Sequence, residues 1–332
     1  MELKLGLNIL IGGNFGSEGK GVVASYLANL PGLSITVTNR GPNSGSTFYY
    51  KENRYITRQL TVSGITAELP IYLCAGSVIN LGILLDEIKE FDVSHRLIIH
   101  PNATIISNDN IAQELDTNSI AYRISSTQNG VGQALAQKAN RTAKIASAIP
   151  ELSQYIGKVD ASKHISLMEV PQGIGLSLNS GFYPYVTSRN VSVAQALSDA
   201  EVNPKYLGKV ICVIRSFPIR VSNLPDCYSG AFYPDSTEIK FSDINQPEEY
   251  TTCTNRPRRI ATFSYKQYKD MLASVCPDYI VLNFTNYCTS SQLAELLQLQ
   301  SITHICKGPY KEDIIKIGSM IKKNEEVPRW DN

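Results

Sequence analysis

A chain of 332 residues is long enough for one large α/β domain with a substantial core, or two modest ones. Its 31 basic and 30 acidic residues nearly cancel, which removes the electrostatic case for a nucleic-acid or anionic-membrane partner. Hydrophobic residues make up 43%, yet no apolar run approaches a membrane span and no export signal is visible, so a soluble cytoplasmic protein is expected.

The seven cysteines (74, 212, 227, 253, 276, 288 and 306) form no CxxC pair and are odd in number, which reads as reduced thiols that mostly fill the core. His95, His100, His164 and His304 are scattered and offer no metal-ligand spacing.

The first thirty residues carry the strongest signal. Leu5 to Gly12 reads as a buried strand, and a helix is expected to start near Val22. Between them lies Gly13-Asn14-Phe15-Gly16-Ser17-Glu18-Gly19-Lys20-Gly21. Strand, glycine-rich turn, lysine and helix is the layout of a phosphate cradle. Glycines let backbone N–H groups converge on an anion, the helix N-terminus adds partial positive charge, and Lys20 adds a full one. It is not a true P-loop, because Asn14 stands where that pattern needs glycine and Gly21 where it needs Ser or Thr. By itself the stretch also fits a tight turn that needs glycine for backbone reasons.

Further along, 33–38 reads as a strand, 39–47 as a loop, and Phe48 to Tyr55 as a hairpin around Lys51-Glu52-Asn53. Short strands at 70–74 and 95–100 flank an amphipathic helix from Ile79 to Phe91. The polar middle contains a loop at 125–132 and a helical pattern through Ala146. Strand character returns at 165–170, 209–214 and 279–283. The alternation predicts an α/β fold with a mostly parallel central sheet flanked by helices, as one domain over 1–332 with insertions.

Several motifs, in order along nearly the whole chain, resemble those of adenylosuccinate synthetases. Gly16-Ser17-Glu18-Gly19-Lys20-Gly21 resembles that family's Gly-Asp-Glu-Gly-Lys-Gly. Asn43-Ser44-Gly45-Ser46-Thr47 resembles its Asn-Ala-Gly-His-Thr. Ser126-Thr127 with Gly130 and Gly132 resembles its Thr-Thr-Gly-x-Gly-x-Gly loop. Gln172-Gly173 and Tyr183 to Ser188 resemble its Gln-Gly and Tyr-Pro-x-Val-Thr-Ser segments. Thr254-Asn255-Arg256-Pro257-Arg258-Arg259 resembles its Thr-Gly-Arg-x-Arg-Arg loop.

The resemblance implies a P-loop-NTPase-like fold and a ligase that phosphorylates a purine 6-oxygen and then displaces the phosphate with the amine of L-aspartate. Such phosphoryl transfer is mostly positioning and charge neutralisation. It implies catalytic roles at Ser17, Lys20 and Ser46, and phosphate binding by Gly16, Gly19 and Gly21. The purine monophosphate falls to Asn43, Thr127, Gln172 and Thr187, with Arg141 lent across a homodimer interface. Aspartate falls to Thr254, Arg256 and Arg258, since guanidinium forks suit carboxylates. Mg²⁺ falls to Ser17 and Gly45, and the donor base to Asn283, Asn286 and Gly308.

Three departures set the subtype. Ser17 replaces the family's aspartate, which takes the proton from N1. Leu282 to Tyr287 replaces the Lys-x-Asp element that selects GTP, and asparagine can pair with either kind of purine edge. The donor-side C-terminal segment survives only as Gly308-Pro309. The first two resemble the viral branch of the family, which acts on dGMP with an adenine nucleotide as donor to make diaminopurine nucleotides. A hydroxyl leaves room for the guanine 2-amino group where a carboxylate would crowd it. Ser46 in place of the family histidine fits neither branch, although His100 follows a strand and is a candidate to approach the site. An IMP-using enzyme and a nucleotide-binding regulator that has lost catalysis stay open as alternatives.

Overall fold

The computed structural model describes residues 1–299 and 301–318. The expected domain over 1–332 therefore includes a C-terminal stretch outside the described residues. The strand β1 (Gly6–Gly12) lies at the middle of a nine-stranded sheet. From one edge, the order is Ile314–Lys316, His304–Cys306, Tyr279–Asn283, Leu207–Arg215, β1, Ile165–Gly173, Ile35–Thr38, Ile71–Leu73 and Leu97–Ile99. Every pairing is parallel except that of the edge strand Ile314–Lys316. The alternating strand and helix signals thus produce the expected mostly parallel sheet.

All seven residues of β1 are buried, because the sheet is covered on both faces. Its side chains alternate between two cores. Leu10 packs with Val23, Leu27, Leu73 and Val213, while Leu7, Ile9 and Ile11 pack with Val37, Met168 and Cys212. The one polar residue of the strand, Asn8, is fully buried and stitches its neighbours together. Its amide donates to the Ser166 carbonyl at 2.9 Å and its oxygen accepts from Lys209 N–H at 2.8 Å.

Two differences from expectation have local causes. The helix after the 125–132 loop runs only over Val131–Ala139, not through Ala146. Residues beyond it take sheet-like partners instead: Ile105 N–H donates to Lys144 O, and Ala146 N–H to Ala103 O, both within 2.9 Å. Arg141 consequently sits past the helix end in a left-handed conformation (φ 65), exposed. His100 does not reach the site; it is buried with Nε2 3.0 Å from Glu201.

The remaining early expectations match closely. The hairpin pairs Ser46–Tyr50 with Asn53–Thr57 around Lys51 and Glu52, both left-handed. The helix expected over 79–91 runs Leu81–Glu90, started by the Asn80 side chain accepting from Ile83 N–H. All seven cysteines are free, and Cys74, Cys212 and Cys306 are buried. Among the described residues no helix is long and apolar enough to cross a membrane.

Candidate active site

The carboxyl ends of four adjacent parallel strands open onto one cavity of about 460 Å³. Such crevices are where open α/β sheets bind ligands. The loop after β1 enters α1 (Lys20–Leu27), and Gln172, Arg215 and Asn283 sit at the ends of the three neighbouring strands.

The loop after β1 is built around a residue that the sequence reading left without a role. Glu18 is fully buried, and its carboxylate accepts from Asn14 N–H at 3.1 Å, Gly16 N–H at 2.8 Å and Lys20 Nζ at 2.8 Å. A Cβ on Gly12 or on Gly173 would collide with that carboxylate, so both glycines are there to admit it. Lys20 Nζ also donates to the Gln172 carbonyl. The lysine is thereby fixed with one carboxylate neighbour, and the first turn of α1 presents its amides beyond it. Gly19 is left-handed (φ 79), and a side chain there would strike Asn283. Ser17 is also left-handed (φ 59), with its exposed side chain at the cavity.

A second wall, packed against the start of α1, is the segment from Arg40 to Thr47, whose last two residues begin the hairpin. Asn43, Ser44, Gly45 and Ser46 all line the cavity, and Arg40 Nη2 donates to Ser46 Oγ at 2.6 Å. The Ser44 hydroxyl is buried and has no hydrogen-bond partner among the described residues. Thr127 belongs to a loop pinned from behind by Glu114, whose carboxylate accepts from Gly130 and Gly132 N–H, both at 2.7 Å. Gln172, left-handed at φ 64, donates through Nε2 to Thr187 Oγ1 at 2.9 Å, so these two cavity residues are bonded to each other.

A charged cluster closes the fourth side. Arg215 is fully buried and pairs with Glu249 through both terminal nitrogens, while its guanidinium lies 3.7 Å from the Phe284 ring centroid. Tyr287 OH donates to Glu249 at 3.0 Å, and Arg258 Nη1 lies 3.6 Å from the same carboxylate. Burial pushes the Glu249 carboxyl up, but Arg215, Arg258 and Tyr287 outweigh it and hold the group below the usual carboxylate range. Arg258 begins the middle strand of a three-stranded antiparallel sheet, which fixes its backbone beside the cavity.

Not every residue singled out in the sequence lines this space. Arg256 lies behind the wall, donating to the Ser126 carbonyl at 2.9 Å and tying the two loops together. Thr254 pairs its hydroxyl with Thr251 at 2.6 Å. Asn283 donates to Glu18 O at 2.9 Å and accepts from Phe284 N–H at 2.7 Å, while Asn286 is exposed. Gly308 lies against the Asp313 carboxylate, and Arg141 lies outside the cavity lining. The sequence reading missed Glu18, Arg40, Arg215 and Glu249. Glu18 had a signal, a carboxylate inside an apparent anion cradle; the others meet the site only through distant chain segments.

A crevice at the carboxyl ends of a parallel sheet, lined by Lys20 on the loop after β1 and by Arg258 beside the Arg215–Glu249 pair, has the layout of an α/β nucleotide-binding enzyme. The family model described as adenylosuccinate synthetase matches residues 9–160 and 142–288, and the chain belongs to that family of C–N bond-forming ligases. It is 34% identical to the N6-succino-2-amino-2'-deoxyadenylate synthase of Vibrio phage phiVC8, over 85% of this chain and 86% of that protein. It is 30% identical to the adenylosuccinate synthetase of Methanococcus aeolicus, over 81% and 80%. Among solved structures, it is similar to the cyanophage S-2L succinoaminodeoxyadenylate synthetase bound to dGMP and dATP as energy donor. That similarity has a TM-score of 0.86 and 29% identity, and covers 94% of this chain and 95% of the other.

Proposed function

We propose that this ligase joins L-aspartate to the 6-position of dGMP, with dATP or ATP as phosphoryl donor, for diaminopurine nucleotide synthesis. The single observation that carries the choice of dGMP is Ser17, a small hydroxyl at the cavity where an IMP-type site holds a carboxylate. The phage relatives that make the 2-amino product support the same reading.

The proposed reaction has two steps. In the first, Lys20 and the amides around Gly16, Gly19 and Gly21 hold the γ-phosphoryl group as it moves to the purine 6-oxygen, with Ser17 and Ser46 at the reacting edge. Asn43, Thr127, Gln172 and Thr187 hold the monophosphate. In the second, the aspartate amine attacks C6 and phosphate leaves. Arg258 takes the aspartate carboxylate, with Thr254 and Arg256 setting the shape of the loop. Asn286 and Gly308, outside the cavity lining, are assigned to the donor base, and Asn283 to holding the loop after β1 through its bond to the Glu18 carbonyl.

Among the described residues no group of three or more His, Cys, Asp or Glu side chains could hold a metal. Glu18 has its oxygens committed to two amides and Lys20. Ser17 and Gly45 both line the cavity, and a hydroxyl and a carbonyl are hard oxygen donors of the kind that would suit a Mg²⁺ taking its other ligands from nucleotide phosphates and water. When bound, Mg²⁺ supplies charge neutralisation at those phosphates. The exposed Arg141 fits a residue delivered to a second subunit, so a homodimer acting in the cytoplasm (the host's, if the chain is viral), with no nucleic-acid or membrane partner and with 1–332 as one domain, completes the proposal.

The test is turnover of the purified protein on dGMP, GMP and IMP in parallel, each with aspartate, Mg²⁺ and either dATP, ATP or GTP. dGMP with an adenine nucleotide is expected to be fastest. Preference for IMP, or no turnover with any pair, overturns the reading.

A further inference from the structure

Arg40 and Arg220 are both buried at the cavity without a carboxylate partner among the described residues, but Arg220 is met by the Ser229 and Tyr185 carbonyls and the Phe15 ring, whereas Arg40 meets one carbonyl and one hydroxyl. It is 3% exposed, yet the arginine–carboxylate pairs among the described residues involve Arg189, Arg215, Arg258 and Arg259, and not Arg40. Its Nη1 donates to the Leu60 carbonyl at 3.1 Å and its Nη2 to Ser46 Oγ at 2.6 Å, while Nε has no partner. Taking a guanidinium out of water without a counter-ion is unfavourable, so one that lines a cavity with an unpartnered N–H points to an anionic ligand there. Both Arg40 and Ser46 line the cavity.

Ser46 stands close to the phosphoryl-transfer site. Its Cβ lies 3.7 Å from the position a Cβ would take on Gly21, the residue after Lys20. Among the described residues its hydroxyl accepts the Arg40 bond and donates to none. A serine oxygen that accepts from a cation on one side must aim its own proton elsewhere, and the bond makes that proton a stronger donor.

We propose that Arg40 and Ser46 work as one unit: the guanidinium polarises and aims the Ser46 hydroxyl, which donates to the purine 6-oxygen while that oxygen attacks the γ-phosphoryl group. Ser46 is then a catalytic residue and Arg40 a positioning residue that supplies the positive charge. This rests on the ligase reading above. In that step the bond from the 6-oxygen to the γ-phosphorus forms as the bond from that phosphorus to the β-phosphate's bridging oxygen breaks, dADP leaves, and the N1 proton passes to solvent at the open cavity; the charge that accumulates on the 6-oxygen is the anion for which Arg40 is held without a carboxylate.

The test follows dGMP, aspartate and dATP turnover by the full-length protein, together with scrambling of bridging ¹⁸O in dATP in the presence of dGMP, which reads phosphoryl transfer alone. Ser46→Ala should lower both kcat and the scrambling rate about a hundredfold, with the KM for dGMP changed less than about threefold. Arg40→Met should show the same split, Arg40→Lys should recover at least a tenth of the parent rate, and the double variant should be no slower than the worse single one. A merely structural role predicts a lowered Tm and raised KM values for all three substrates instead. Ser46→Ala removes a single oxygen from a buried residue that lines the cavity, so it tests the idea even if Arg40→Met fails to fold. If Ser46→Ala keeps kcat within twofold of an active parent, or if the two losses multiply, this inference falls alone. If the parent turns over no 6-oxopurine monophosphate, the ligase reading falls and takes the inference with it.

Discussion

Glu18 and Glu249 flank the same cavity, and each holds a cation in place, but they are built for different ends. Glu18 has no exposure, accepts from two backbone amides as well as Lys20, and is boxed in by Gly12 and Gly173. Its contacts are short-range in sequence, so it makes the loop after β1 a single rigid shape. Glu249 keeps some exposure and meets side chains only: Arg215, Arg258 and Tyr287. Three long side chains around one carboxylate leave a net positive charge beside the cavity, free to adapt to a bound carboxylate. In the proposed reaction, one glutamate would fix the machinery that every turnover shares, and the other would hold the charges that a particular substrate meets.

The largest effect should come from breaking the rigid side. Glu18→Ala strands Lys20 and two amides and opens a void between two glycines. Breaking a buried ion pair in this way costs about 3–5 kcal/mol, so a large drop in the urea midpoint and loss of measurable turnover are expected. Glu18→Gln keeps the shape but sets an amide N–H toward Lys20 and should also be inactive. Stability within about 1 kcal/mol of the parent would show that the loop does not depend on Glu18.

On the adaptable side the effect should be selective. Arg258→Ala is expected to lower kcat/KM for aspartate by about a hundredfold, with the nucleotide values much less affected. Equal losses for all three substrates would mean that the wall had collapsed and that Arg258 shares Glu18's structural role.

Ser17 lies between the two regions, with its carbonyl 3.3 Å from Arg215 Nη1 and its chain leading directly into Glu18. Ser17→Asp should crowd a guanine 2-amino group, restore a base at N1 and strengthen Mg²⁺ binding. The ratio of kcat/KM for dGMP over IMP should fall by roughly ten- to two-hundredfold. An unchanged ratio would remove Ser17 as the selector. Arg141→Leu asks whether the cavity is complete in one chain: an approximately tenfold rise in KM for dGMP, without a change in kcat, is expected of a charge lent by a second subunit. A fully active monomer in sedimentation would rule that out.

What could be read in the sequence follows the same division. β1, the glycine loop and α1 were legible because their causes are local: an apolar run, glycines where backbone crowds, and a lysine at a helix start. The arginine loop at 254–259 was legible as a motif, but not that Arg258 lines the cavity while Arg256 braces Ser126, since that depends on a strand pairing with residues 219–221. Arg215 could not be found, because it ends an apolar strand about two hundred residues from the Ser17 carbonyl it touches. The helix drawn through Ala146 failed for a related reason. The apolar Ile145 and Ala146 continue a helical pattern in the sequence, but their burial is spent pairing with 103–105.

The smallest expected effect separates the two glutamates by pH. The folded-state pKa of Glu249 is held below its unfolded value, against burial, by Arg215 first and then by Arg258 and Tyr287. For a carboxyl with a depressed folded pKa, the unfolded state binds the proton more readily. The stability it contributes is complete above the unfolded value of about 4.5 and is lost as pH falls through the folded value. Between pH 7 and 5.5 the urea midpoint of the parent should therefore owe no slope to Glu249, and below pH 4.5 it should decline. Other carboxyls held low by their partners, such as Asp278 beside Lys209, contribute to the same decline, so the informative quantity is the difference between parent and Glu249→Gln. The variant should be less stable than the parent at pH 7, because Arg215 loses its counter-ion in a buried site, and the gap should narrow on acidification as the parent loses the same charge. A gap that stays constant from pH 7 to 3.5 would show that Glu249 acts through its shape and hydrogen bonds alone, and the contrast drawn with Glu18 would then be one of burial and not of charge.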